Sequence, residues 1–92
     1  MFEPPPAIYA SMPRPAGVVV IWVKDVRVSA AACAGFGADR ATACYVDSYR
    51  MIVFPKGLDT ESERLGLEHE WAHAKGWRHP APYTVMSHYR AD

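Results

Sequence analysis

The sequence predicts a small α+β domain in which a short, mainly antiparallel sheet packs on one long helix. An apolar, β-branched run covers residues 17–23, and two shorter strand-like runs lie at residues 43–46 and 49–54. A capped helical pattern then extends over about residues 61–75. Strands followed by a helix favour the α+β class over an alternating α/β fold. The chain has 92 residues, so residues 17–92 are predicted to form a single domain.

Residues 1–16 are predicted to form a proline-rich, extended arm. This segment holds all but three of the eight prolines, and such sequences favour the polyproline conformation, which has no internal hydrogen bonds. The arm either lies over the domain or is mobile, and mobility is the default at a terminus. No basic region followed by an apolar one opens the chain, so no signal peptide is predicted and a cytoplasmic location is the default expectation.

Residues 17–23 are the clearest strand. The run is almost continuously apolar, which predicts that both of its faces are covered. A short helix is expected next, capped by Ser29, running through the alanines to Cys33 and ending at Gly35.

The runs at residues 43–46 and 49–54 are predicted to form a hairpin that turns at residues 47–48. Side chains alternate between the two faces of a strand. The alternation predicts one face with Tyr49, Met51 and Val53 and the other with Arg50, Ile52 and Phe54.

The helix at residues 61–75 opens with a capping box, in which Thr60 is the cap and Glu63 reaches back to it. Acidic residues in the first turn and a lysine in the last turn complement the helix dipole. Four residues at helical spacing are predicted to form the face that packs on the sheet: Leu65, His69, Ala72 and His73. The helix is also expected to pack a second surface through Trp71.

A zinc-binding motif ends this helix, because residues 69–79 read HExxHxxGxxH. On a helix His69 and His73 are one turn apart, so both imidazoles can bind one tetrahedral zinc ion. Gly76 is expected to end the helix, and the chain can then bring His79 round as the third ligand. Glu70 is placed to act on a water at the metal instead of binding the metal.

These residues resemble the signature of the metzincin clan of zinc metallopeptidases, in which the zinc motif is followed by a methionine-containing turn. Residues 84–89 are the candidate turn, with Met86 as the expected hydrophobic floor beneath the metal. In the astacin-like branch a tyrosine follows two residues after the methionine, whereas here His88 holds that position and Tyr89 comes next. The resemblance implies a minimal metzincin-like fold, with transition-state support from His88 or Tyr89.

The expected function is therefore a zinc-dependent hydrolase, most simply a metallopeptidase that acts on peptides or proteins. An edge strand in the hairpin could pair with an extended substrate. The alternative is a non-catalytic, zinc-stabilised interaction module completed by a partner or a second copy. An open fourth zinc position distinguishes the enzyme from a module whose zinc is closed by a protein ligand. The zero formal net charge argues against a nucleic-acid or membrane partner, and no apolar run approaches a membrane span.

The two cysteines leave two interpretations open. Cys33 and Cys44 form a disulfide in an oxidising compartment, or they are two small buried apolar residues. A zinc role is less favoured, because the three histidines already fill three positions and catalysis needs the fourth open.

Overall fold

The computed structural model describes residues 2–79 and 90–91, in which a mixed sheet lies between two helices. The helices are α1 (Val26–Gly35) and α2 (Thr60–Ala74), and short 3-10 helices lie at Ala7–Ser11 and Asp47–Tyr49. The strands are β1 (Val19–Val23), β2 (Cys44–Val46), β3 (Met51–Pro55) and β4 (Arg90–Ala91), and they lie side by side in the order β1-β3-β2-β4. The α+β class is confirmed.

The sheet is mixed, so the prediction of a mainly antiparallel sheet is corrected. Strand β1 pairs with β3 in parallel over its whole length, with Val19 opposite Met51 and Val23 opposite Pro55. Strand β2 pairs antiparallel with both β3 and β4. The parallel pair arises because α1 lies between β1 and β2, which lets the chain cross over before it forms the hairpin.

The predicted hairpin is confirmed, and Cys44 lies opposite Val53 in its register. Both of its strands lie inside the described sheet, because β1 flanks β3 and β4 flanks β2. Strand β4 covers only Tyr45 and Val46 of β2, and the pairing of a substrate with the hairpin stays a prediction.

Alternation along the hairpin builds two separate apolar cores, one on each face of the sheet. Ile52, Phe54 and Tyr45 pack with Trp71 of α2 on one face. Val53 and Val46 pack with Cys33 of α1 on the other face. The predicted division of residues 51–54 between two faces is therefore confirmed, and so is the packing of Trp71.

Strand β1 is less covered than predicted. Val19, Ile21 and Trp22 are exposed, although the sequence suggested cover on both faces. The reason is position, since β1 ends the described sheet while α2 packs mainly over β2 and β3.

Both helices begin at an aspartate that the sequence analysis did not choose as the cap. The Val28 backbone N–H donates to the Asp25 side chain over 3.0 Å, so α1 begins well before Ser29. Ser29 is instead buried inside α1, with its hydroxyl 2.5 Å from the Thr42 carbonyl oxygen. The Ser62 N–H donates to Asp59 over 2.7 Å, so Asp59 replaces Thr60 as the cap of α2.

A disulfide joins Cys33 of α1 to Cys44 of β2, with the two Cα atoms 5.9 Å apart. This pairing decides between the two interpretations of the cysteines. It fastens α1 to the sheet on the face opposite α2.

The proline-rich arm, residues 2–16, packs on the domain, which is one of the two arrangements that the sequence left open. Phe2 is buried in the core beneath α2, and the Arg14 guanidinium lies 4.3 Å from the ring centroid of Trp71. Further along, the Arg50 side chain donates to the Ala16 carbonyl oxygen over 2.7 Å. Among residues 2–79 and 90–91, no helix has the length and apolar character needed to cross a membrane.

Candidate metal centre

The last two turns of α2 carry the first part of the zinc motif. His69 and His73 are one turn apart on its buried face, and their Nε2 atoms lie 3.1 Å apart. Two nitrogens that bind one zinc ion tetrahedrally at about 2.05 Å lie about 3.3 Å from each other. The spacing of the two imidazoles therefore suits a shared metal ion.

A tight helix end turns the chain back so that the third histidine can join the pair. Gly76 has a φ of +118°, and its N–H donates to the His73 carbonyl oxygen over 3.1 Å. The Trp77 N–H donates to the Ala72 carbonyl oxygen over 3.0 Å, which completes a Schellman motif. The predicted stop at Gly76 is confirmed.

The three predicted ligands come together in one cluster. His69, His73 and His79 each offer a nitrogen, and these three atoms all lie within 4.8 Å of one another. Their side chains are buried, with exposed fractions of 2%, 0% and 8%. Three imidazoles are a donor set found in catalytic zinc sites, which take three protein ligands and keep a fourth position open. The three histidines could therefore hold a metal ion, and its identity as zinc stays a prediction.

Backbone carbonyl groups fix the orientation of the two helical imidazoles. The Nδ1 atom of His69 lies 2.7 Å from the Glu3 carbonyl oxygen, and the Nδ1 atom of His73 lies 2.8 Å from the Trp77 carbonyl oxygen. A carbonyl oxygen can only accept, so each Nδ1 carries the proton and donates. Each Nε2 then presents its lone pair to the shared point, as metal-binding histidines do.

Burial keeps His73 neutral. Loss of solvent lowers its pKa from 6.5 to about 3, an effect that outweighs the hydrogen bond to Trp77. A neutral imidazole is the form that binds a metal, so His73 needs no deprotonation step near neutral pH.

Aromatic rings enclose the cluster. The Trp77 indole stacks on the His73 imidazole with ring centroids 4.6 Å apart and planes 7° apart. The Phe2 ring lies 5.7 Å from that of His69. None of these roles of Trp77, Phe2 and Glu3 is predicted from the sequence. Trp77 could have been found from its place between Gly76 and His79, whereas no local signal tied the arm to α2.

The other predicted site residues divide into two groups. Glu70 follows His69 in α2 and is fully buried, and its role as general base stays a prediction. Met86, His88 and Tyr89 lie outside the described residues, so the candidate methionine turn stays a prediction.

A cavity of about 480 Å³ lies between the arm and the outer side of α2. Glu68, Trp71 and Lys75 line its helical wall, and none of the three histidines is among its described lining residues. This cavity is therefore separate from the candidate metal centre.

Comparison of the chain with protein-family models, with curated proteins and with solved structures found no match. The function proposed below rests on the residues of this chain.

Proposed function

We propose that this protein is a zinc-dependent hydrolase, most simply a peptidase, in which Glu70 is the general base. The observation that carries the proposal is the convergence of three buried imidazoles, two of them with their Nε2 atoms 3.1 Å apart, next in the chain to a fully buried glutamate. Metal-assisted hydrolysis commonly uses a carboxylate near the metal as general base for the attacking water, and Glu70 is a buried carboxylate next in the chain to His69.

The chemistry divides between the metal and the chain. Zinc held by three imidazoles would supply a Lewis acid and would lower the pKa of a water. Glu70 would accept a proton from the attacking water and return it to the leaving amine of the peptide. His69, His73 and His79 would hold the metal, and Trp77 stacks on His73. Such a division of roles is also that of the metzincin clan, which the motif resembles.

A second candidate is a zinc-stabilised interaction module without catalytic activity. The observation that favours it is the burial of all three histidines, with the Phe2 ring and the Glu3 backbone beside His69. A substrate can reach the ion only if part of this cover moves. In a module the zinc would act as a staple, and its binding free energy would serve folding.

The test is the substitution Glu70→Gln, with Glu68→Gln as the matched control. Glutamine keeps the size of the side chain but cannot take the proton. Glu68 lies on the same helix with an exposed side chain that pairs with Arg64, so its loss should leave turnover unchanged. We expect Glu70→Gln to keep zinc and the fold while losing turnover by about 10²-fold or more.

The measurement is cleavage of unstructured proteins and peptide libraries, with zinc content determined in parallel by elemental analysis. Equal cleavage by wild type and Glu70→Gln would remove Glu70 from the mechanism. No cleavage by a zinc-loaded wild type would favour the structural module.

A further inference from the structure

We propose that the N-terminal arm is a built-in part of the metal centre, in which Glu3 orients two of the three histidine ligands. Its backbone carbonyl group holds His69, and its carboxylate faces His79. Glu3 is thus a positioning residue. The inference rests on the metal-binding part of the proposed function and does not depend on catalysis.

The geometry of the three Nδ1 atoms carries this inference. Glu3 supplies the carbonyl oxygen 2.7 Å from His69 and a carboxylate oxygen 3.5 Å from the Nδ1 atom of His79. The remaining histidine, His73, is held by the Trp77 carbonyl oxygen at 2.8 Å. Each Nδ1 therefore faces an oxygen atom, and one residue of the arm provides two of the three oxygens.

An oxygen at Nδ1 matters for metal binding in two ways. It keeps the proton on Nδ1, so that a metal binds through Nε2, and it fixes the rotation of the ring. A negatively charged or strongly polar acceptor also makes the ligating nitrogen more basic. Without Glu3 in place, the Nδ1 atom of His69 would lose this carbonyl oxygen, and the ring would lose one constraint on its orientation.

The arm is anchored to the domain at several points, and these anchors constrain the position of Glu3. Phe2 inserts over Gly66 of α2 and stacks near Phe54, with ring centroids 6.0 Å apart. A Cβ atom added at Gly66 would lie 2.6 Å from the Phe2 ring, so the glycine is needed for this close approach. Farther along the arm, the Lys75 ammonium group donates to the Tyr9 carbonyl oxygen over 2.7 Å.

The first variant is Phe2→Ala, which removes the anchor next to Glu3 and leaves the histidines unchanged. The matched control is Ile8→Ala, because Ile8 lies in the same arm with 64% of its surface exposed. The zinc dissociation constant is measured by competition with a chromophoric chelator, at a temperature where circular dichroism shows both variants folded. We expect Phe2→Ala to weaken zinc binding by about 10- to 100-fold, and Ile8→Ala to leave it unchanged.

Two further variants distinguish the Glu3 carboxylate from its backbone carbonyl group and provide a second way to displace Phe2. Glu3→Ala keeps the carbonyl group and removes the carboxylate, whose side chain is 65% exposed, so we expect a smaller loss of affinity than in Phe2→Ala. Gly66→Ala keeps Phe2, but the added Cβ atom would lie 2.6 Å from the Phe2 ring and 2.8 Å from that of Phe54, so a ring must shift, while alanine itself favours the helix. We expect Gly66→Ala to weaken zinc binding as Phe2→Ala does.

Cobalt substitution gives a readout that general destabilisation would not change. The visible absorption bands of bound Co²⁺ depend on ligand geometry, so they should shift in Phe2→Ala and Gly66→Ala and stay in place in Ile8→Ala. Wild-type zinc affinity together with unshifted cobalt bands in both variants would overturn the inference. A wild-type chain that binds no zinc would overturn the proposed function as well. Equal activity of wild type and Glu70→Gln would instead overturn the proposed function alone.

Discussion

The two faces of the sheet are held together in different ways. On the α1 face, a disulfide links two residues that are 11 positions apart in the chain. On the α2 face, the contacts join segments far apart in sequence, since the hydrogen bond between His69 and Glu3 spans 66 positions. One face is thus fastened covalently and locally, and the other by the arm, the aromatic rings and the histidine cluster.

The two faces also differ in what they bury. Among the described residues, Ser29 is the buried polar side chain of the α1 face, whereas the α2 face buries His69, Glu70, His73 and His79. Buried polar groups cost free energy unless they are paired or bind a metal. The α1 face therefore mainly stabilises the fold. On the α2 face, the buried polar groups cost stability, and three of them form the candidate metal centre. Departures from an apolar core of this kind are expected at functional sites.

Metal removal should have the largest effect on stability, because it acts on the face that the metal would hold together. At a free zinc concentration of about 1,000 times the dissociation constant, bound zinc stabilises the fold by about 4 kcal/mol. Chelation should then lower the melting temperature by roughly 15–30 °C. The measurement is differential scanning calorimetry with and without chelator. His79→Ala serves as the control, since it should bind zinc poorly and respond little. If the wild type melts at the same temperature in both conditions, the fold stands without metal.

Removal of the disulfide should rank second and should leave the metal centre intact. The disulfide closes a loop between residues that are 11 positions apart, and in the chain-entropy model such a loop stabilises a protein by about 3 kcal/mol. We expect the double substitution Cys33→Ala and Cys44→Ala to lower the melting temperature by roughly 10–20 °C with unchanged zinc affinity. A clear loss of zinc affinity in this variant would show that the two faces are coupled.

The sequence was most informative where the signal is local. The hairpin and α2 were predicted close to their observed positions, because alternation and helical periodicity depend only on neighbouring residues. The zinc motif likewise fixed His69, His73, Gly76 and His79, since one helix and its end determine where they lie.

Predictions that needed distant partners were wrong or missing. The parallel pairing of β1 with β3 depends on a crossover, and a lone apolar run does not reveal the direction of its neighbour. The docking of Phe2 and Glu3 on α2 depends on the missing side chain of Gly66, whose role is visible only when both segments are in place. The shift of the cap from Thr60 to Asp59 has a simpler cause, because both residue types cap helices and the carboxylate forms the bond.

Ser29→Ala should have a smaller effect, and it tests how much the α1 face depends on its buried hydroxyl. The Ser29 Oγ atom lies 2.5 Å from the Thr42 carbonyl oxygen and 3.1 Å from that of Val26. Alanine leaves a partly buried carbonyl group without this donor, which costs about 1 kcal/mol. The matched control is Ser11→Ala, since that hydroxyl also donates three residues back but is exposed. Urea unfolding measures the stability of both variants. Equal unfolding midpoints for Ser29→Ala and Ser11→Ala would mean that the Ser29 hydrogen bond adds nothing to stability.

The smallest effect is expected at the helix caps, where the two faces can be compared directly. Asp59 accepts two hydrogen bonds from Ser62, from its N–H over 2.7 Å and its hydroxyl over 2.9 Å, whereas Asp25 accepts one from the Val28 N–H. Asp59→Ala should therefore lower the melting temperature by a few degrees, and more than Asp25→Ala does. Zinc affinity should not change in either variant, because Asp59 lies ten positions before His69 along α2.

The pH dependence gives the cap of α2 a distinct signature. The two hydrogen bonds from Ser62 lower the pKa of Asp59 below its ordinary value of 3.8. A carboxylate with a lowered pKa in the folded state stabilises the protein fully above its unfolded pKa, and this contribution is lost as the pH falls through the lowered pKa. The gap in melting temperature between wild type and Asp59→Ala should therefore be constant above about pH 5 and close in stronger acid. A gap that widens toward acid would mean that Asp59 stabilises the helix through some other interaction, and the comparison of the two caps would lose its basis.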